Sequence, residues 1–282
     1  MSVPAPEWQP LIVGVAPTGA RRTKTDHPGL PTTPAELAAT AGSCREAGAA
    51  LIHLHVRDGA GRHTLDADTY RQAIEAVRER VGDDLVVQVT SEAAGVYTAP
   101  DQMAMVRRLR PEAVSLALGE IVPKDDDVGA AGEFLDWLTA EGILPQYILY
   151  TPGDVRRFAA LCEGGTIPAR GRNVLFVLGR YAAREHSSPT DLLPFLAVRP
   201  DELELATWSV CAFGRHEGAC ALTAAALGGH ARVGFENNLY LADGSIAPDN
   251  SALVRQVCAG AAFVGRAVAS AADARRAFGA GE

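Results

Sequence analysis

Two histidines one residue apart, His53-Leu54-His55, and a distant glutamate, Glu236, are the side chains best suited to hold a divalent metal. In an extended strand successive side chains alternate faces, so His53 and His55 share one side while Leu54 takes the other. Read the same way, Arg232-Val233-Gly234-Phe235-Glu236 sends Arg232, Gly234 and Glu236 to one face. Two neutral imidazoles and one carboxylate suit catalytic zinc, with a fourth position left for water or substrate, and cobalt, manganese, nickel or iron fit the same donors. An HxH alone is more often a pair of core histidines. Glu236 at a compatible place in the fold is what favours a metal.

That place follows from the order of elements. β-rich runs at Leu11–Ala16, Ala50–Val56, Leu85–Thr90, Ala113–Leu118, Leu144–Tyr150, Asn173–Leu178, Leu205–Val210 and Ala231–Glu236 alternate with stretches of helical periodicity. The helices are expected near Pro34–Ala47, Asp68–Val81, Pro100–Leu109, Ala130–Glu141, Val155–Glu163, Pro189–Leu196, Gly218–Leu227 and Ser251–Gly265. Eight βα units in roughly 250 residues predict an α/β fold, a single (β/α)8 TIM barrel. The barrel is expected over about residues 11–265 of one domain spanning 1–282, with a short helical tail, 266–282, outside it or against a neighbouring subunit. A doubly wound sheet would want a GxGxxG after the first strand, and there is none. In such a barrel the chemistry sits where strands end, and inward residues of the second and eighth strands share a layer, so His53, His55 and Glu236 can converge.

The same barrel mouth offers Thr18 and Arg21 after the first strand, Thr90, Ser91 and Glu92 after the third, and Glu120 after the fourth. Each is individually weak, because such residues commonly cap turns or face water. Of the other histidines, His27, His63, His186 and His230 are expected at the surface, while His216 follows the seventh strand at the active face.

Composition narrows the functional class. A net charge of −8 with scattered Lys and Arg argues against nucleic acid as a partner. No apolar run is long enough to span a membrane, and Met1 to Pro10 lacks a signal-peptide pattern, so a cytoplasmic protein is expected. Five cysteines without a CxxC are expected to be reduced.

Several segments together resemble the β-keto acid cleavage enzyme family, which includes the 3-keto-5-aminohexanoate cleavage enzymes. They are Ala16-Pro17-Thr18-Gly19-Ala20, His53-Leu54-His55-Val56-Arg57-Asp58, Ala206-Thr207-Trp208-Ser209-Val210, Gly228 to Gly234, and Phe235-Glu236-Asn237-Asn238-Leu239-Tyr240. The resemblance runs from about Leu11 through the tail. It implies a zinc-dependent barrel, a homo-oligomer and often a tetramer, that condenses a β-keto acid with acetyl-CoA to release acetoacetate and a new acyl-CoA. It implies zinc on His53, His55 and Glu236 and a catalytic part for Arg232; from their places at the barrel mouth, Thr18, Arg21, Arg57 and Ser91 are expected to face substrate and Thr90 to join the catalytic residues.

The chain departs from the family pattern at the base. An aspartate usual just after the zinc glutamate, working with the arginine matched by Arg232, is here Asn237, whose amide cannot accept a proton at ordinary pH. That change leaves Arg232 without its expected partner. Thr90-Ser91-Glu92-Ala93 stands where Ser/Thr-Thr-Gly-Gly is usual, and Glu120 where a hydroxyl or small residue is common. Glu92 or Glu120 is therefore expected to serve as base. Where the aminohexanoate-cleaving branch has an acidic residue, Arg21 would repel an ammonium and suit a carboxylate or polar tail. Two other functions compete: a metal-dependent aldolase or hydrolase that no longer uses acetyl-CoA, and a catalytically silent metal- or metabolite-binding protein.

Overall fold

The strands are β1 (Val13–Val15), β2 (Leu51–Leu54), the short β3 (Val56–Arg57) and β4 (His63–Thr64), β5 (Val86–Thr90), β6 (Ala113–Ala117), β7 (Leu144–Leu149), β8 (Asn173–Leu178), β9 (Thr207–Ala212) and β10 (His230–Val233). In the computed structural model, which describes residues 8–123, 128–179 and 186–279, eight of them form a closed parallel barrel in the order β1-β10-β9-β8-β7-β6-β5-β2. This is the (β/α)8 barrel expected from the alternation of elements. β3 and β4 pair separately as an antiparallel hairpin beyond the end of β2. The parts of the N-terminal and tail expectations that fall on residues 1–7 and 280–282 lie outside the described residues.

The helices are α1 (Pro34–Glu46), α2 (Ala67–Val81), α3 (Ala99–Leu109), a one-turn α4 (Leu118–Ile121), α5 (Val128–Ala140), α6 (Pro152–Glu163), α7 (Leu193–Ala197), α8 (Glu217–Ala226), α9 (Asn250–Ala261) and α10 (Ala271–Ala277). Three of their starts have a local cause in sequence: Thr33, Thr98 and Thr151 each form a capping box ahead of a proline in the first turn. The stretch expected as one helix from Pro189 is instead a 3-10 turn, Pro189–Leu192, followed by α7. Pro194 lacks an N–H and its ring crowds the carbonyl four residues earlier, which stops a continuous helix there.

Strand alternation sorts the side chains. Val13, Val15, Ile52, Leu54, Val87, Val89, Val114 and Leu116 join the core shared with the helices. The other face fills the barrel. Ile12, Leu51, Val86, Ala113 and Leu144 make an apolar layer at its N-terminal end, packed against Ala269, Ala274 and Phe278 of the tail. Nearer the C-terminal ends, Ala117, Ile148, Leu175, Val177 and Cys211 form a second apolar cluster. Between these levels lie His53, Gln88, Ser115, Gln146 and Arg232, polar and buried. A wholly apolar interior would pack more easily; this polar belt marks the level of the chemistry.

The tail therefore has a definite place: α10 lies beneath the barrel and Phe278, 1% exposed, closes its floor. All five cysteines are free, and Cys44, Cys162, Cys211 and Cys220 are buried. No helix among the described residues is long and apolar enough to cross a membrane.

Candidate metal centre

His53 and His55 enter the barrel from the end of β2, as alternation requires. Glu236 arrives differently from the expected strand extension: β10 stops at Val233, and Gly234–Asn237 form a turn. The reason is local. Gly234 sits at φ +136°, and a Cβ there would lie 2.4 Å from the Ala16 carbonyl oxygen, so the chain folds over β1 at a position only glycine can occupy. Glu236 N–H then bonds the same Ala16 oxygen at 3.0 Å and the side chain turns back over the barrel axis.

The three donors meet there. His53 Nε2 and His55 Nε2 face each other at 3.1 Å, and Glu236 Oε2 lies 3.2 Å from His55 Nε2 and 3.7 Å from His53 Nε2. Ligands about 2.0–2.2 Å from a tetrahedral ion are spaced roughly 3.3–3.6 Å apart, so the gaps match a common metal. The tautomer agrees. His53 Nδ1 donates to Gln88 Oε1 at 2.8 Å, and Gln88 is itself held by donating to Gln146 Oε1 at 3.1 Å, which leaves the His53 Nε2 lone pair free for a metal. Burial and then the nearby Arg232 charge push His53 down to about 3, so it is neutral near pH 7. Glu236 Oε2, buried and without a hydrogen-bond donor among the described residues, completes a set that fits an ion.

Glu236 is shared. Its Oε1 accepts from Arg232 Nη2 at 2.8 Å. Burial alone would raise its carboxyl, but Arg232 and the two histidines hold it well below the usual range. Arg232 thus has a partner despite the asparagine at 237; Asn237 Oδ1 is a more distant 3.4 Å away. Arg232 Nε and Nη1, Asn237 Nδ2 and Ser115 Oγ are all buried without a hydrogen-bond partner among the described residues.

The other expected site residues divide. Thr90 and Glu92 line the inner recess with the histidines, and Glu92 Oε2 lies 4.0 Å from His55 Nε2. Thr18, Arg21, Arg22, Glu92 and Tyr240 line an outer chamber of about 410 Å³ that adjoins it, although the Thr18 hydroxyl is committed to the Pro31 carbonyl at 2.7 Å. Three residues do not reach the centre. Arg57 donates to the carbonyls of Gly19, Ala20 and Arg22 and braces the β1 loop. Ser91 Oγ donates to the Ser115 carbonyl at 2.9 Å. Glu120, on α4, accepts from Ala93 N–H and from the Gln102 amide, each at 2.9 Å, so it anchors the β5 loop rather than facing His53 and His55.

Three histidines expected at the surface are not there. His27 packs on Phe235 with ring centroids 4.3 Å apart, and His230 Nδ1 accepts from Ile12 N–H at 3.1 Å; both are structural. His63 belongs to the centre's surroundings: its ring lies 5.4 Å from His55 and its Nε2 donates to the Glu92 carbonyl at 2.9 Å. His216 is at the expected end of the barrel but bonds the Ser187 carbonyl at 2.9 Å.

A profile of the beta-keto acid cleavage enzyme family matches residues 10–279. The chain belongs to this family. Its relatives include a 3-keto-5-aminohexanoate cleavage enzyme of Fusobacterium nucleatum, 33% identical over 94% of this chain and 96% of that one. A 3-oxoadipate:acetyl-CoA acetyltransferase of Cupriavidus necator is 31% identical over 96% of this chain and 95% of the relative. Among solved structures, apo ObcA superposes with a TM-score of 0.72 at 18% identity, over 90% of this chain and 66% of that one, a likeness of fold. Three of the segments that carry the family resemblance gather at the barrel mouth: the β1 loop, the HxH strand and the Gly234–Asn238 turn.

Proposed function

We propose that this chain cleaves a β-keto acid with acetyl-CoA, giving acetoacetate and a new acyl-CoA, at a zinc centre held by His53, His55 and Glu236. The bond between C2 and C3 of the keto acid breaks, C2 joins the acetyl carbonyl carbon, and the CoA thiolate passes to the released acyl group. The observation that carries the reading is the divided Glu236 carboxylate, with one oxygen on Arg232 and the other facing the Nε2 atoms of His53 and His55. Bound there, the metal supplies Lewis-acid stabilisation of the negative charge that develops on the keto oxygen.

The chain's own groups then have separable tasks. The free donors of Arg232, Asn237 and Ser115 offer hydrogen bonds to an anionic substrate in the recess. Asn237 orients but takes no proton. With Glu120 committed elsewhere, Glu92, between the recess and the outer chamber, is the carboxylate placed to remove one. Arg21 in the outer chamber favours a substrate whose tail is a carboxylate over one that carries an ammonium.

Two relatives' substrates make the test direct. Purified protein with acetyl-CoA is expected to convert 3-oxoadipate to acetoacetate and succinyl-CoA, with kcat/KM at least tenfold above that for 3-keto-5-aminohexanoate. No acyl-CoA from any β-keto acid in a panel would contradict the reading. Asn237 keeps one alternative alive, a metal-dependent aldolase or hydrolase, which would show turnover without acetyl-CoA.

A further inference from the structure

Glu217, in the first turn of α8, is a carboxylate only 1% exposed and forms no salt bridge among the described residues. Burial pushes its carboxyl up to about 8 against the pull of two hydrogen bonds, and a buried carboxyl is costly unless its oxygens meet partners. Both do. Oε1 accepts the Gly234 N–H at 3.0 Å and Oε2 accepts the Asn238 Nδ2 amide at 3.2 Å. These donors stand at the two ends of the turn that carries Glu236 and Asn237. The Asn238 amide has no freedom to invert, because Tyr240 N–H donates to its Oδ1 at 3.0 Å and its Nδ2 also donates to the Tyr240 carbonyl. Gly234 has none either, pressed against Ala16 at positive φ. The middle of the turn is tied once more, by Phe235 N–H donating to Asn250 Oδ1 at 2.8 Å.

We propose that Glu217 is a positioning residue for the metal centre, a two-oxygen acceptor on α8 that fixes the Gly234–Asn238 turn and so holds Glu236 Oε2 opposite His53 and His55. The inference rests on those three residues holding the metal. An amide at 217 has the same size, but it sets an NH2 against one of two fixed donors and lets that end of the turn move.

The test measures zinc affinity by chelator competition, with thermal melting of the metal-free protein in parallel. Glu217→Gln is expected to weaken zinc binding 10- to 100-fold, the range seen when groups behind a metal ligand are altered. Asn238→Ala removes only the Oε2 donor and is expected to weaken it by a smaller factor; it carries the test if Glu217→Gln does not fold. A lower melting temperature with zinc affinity within twofold of the parent would overturn the proposal, since a purely structural role moves stability alone. His53→Ala separates the two readings: if it too leaves zinc affinity unchanged, the metal assignment itself falls, and this proposal with it.

Discussion

Glu236 divides its carboxylate between a cation and a ligand position, and this arrangement makes the asparagine at 237 tolerable. In a centre with an aspartate at 237, Arg232 would have two acids to serve; here it is 2.8 Å from Glu236 and 3.4 Å from Asn237. In the proposed reading Asn237 cannot serve as base, and Glu92 is the carboxylate placed to supply one. Glu92→Gln is expected to cut acetyl-CoA-dependent turnover by about 10²- to 10⁴-fold, the usual worth of a general base. Adding Asn237→Asp to that variant should recover at least tenfold, with kcat as the readout; no recovery would argue against 237 as the family's base position. His53, His55 and Glu236 were legible as motifs because two neighbours in one strand and one short turn carry them. Gln88, Gln146, His63 and Glu217 were not, since each reaches the centre from a different element. Gln88 alone left a signal, lying two residues before Thr90 and so on the same inward face.

The connecting segments impose their own limits on the site. Gly19, at φ +69°, lies against Glu236, and a Cβ there would come within 2.6 Å of Glu236 Cγ. Gly19→Ala is therefore expected to weaken metal binding by tenfold or more, measured by zinc titration, while leaving the helices intact by circular dichroism. A helix start supplies the pH prediction. The Glu36 carboxylate closes the capping box of α1 and pairs with Lys24, which with the Thr32 N–H lowers its carboxyl to about 2. A folded value below the unfolded one means that its stabilisation is complete above about pH 4.5 and is lost as pH falls toward about 2. Glu36→Gln keeps an acceptor for the capping box but loses the charge that pairs with Lys24, so it should melt lower than the parent at pH 7, by about 1–3 °C. That gap should close on acidification to pH 2.5. Element order could be read from the sequence because helical and strand periods alternate cleanly. Strand ends were harder: Leu205 and Ala206 extend the apolar run backwards, yet β9 starts at Thr207, where it pairs with Asn173 of β8.

Barrel, floor and mouth divide the labour of the chain. Helices pack on one strand face, an apolar layer capped by α10 fills one end, and the polar belt opens at the other into the chamber lined by Arg21 and Arg22. Sequence periodicity predicts the barrel but not the plug, because the tail's short helix has no strand partner to reveal where it docks. Phe278→Ala is expected to destabilise the protein by about 3–5 kcal/mol, as truncation of a buried aromatic does, with no change in zinc affinity because the floor lies at the opposite end. A fall in both would place the tail in contact with the chemistry. Joining metal to turnover is the most direct check: zinc content and acetyl-CoA-dependent acyl-CoA formation, measured on the same preparations of the parent protein and His53→Ala. The expected result is close to one zinc per parent chain, activity that disappears on chelation and returns with zinc, and neither metal nor activity in the variant. Full turnover by metal-free protein, or an active His53→Ala, would contradict it.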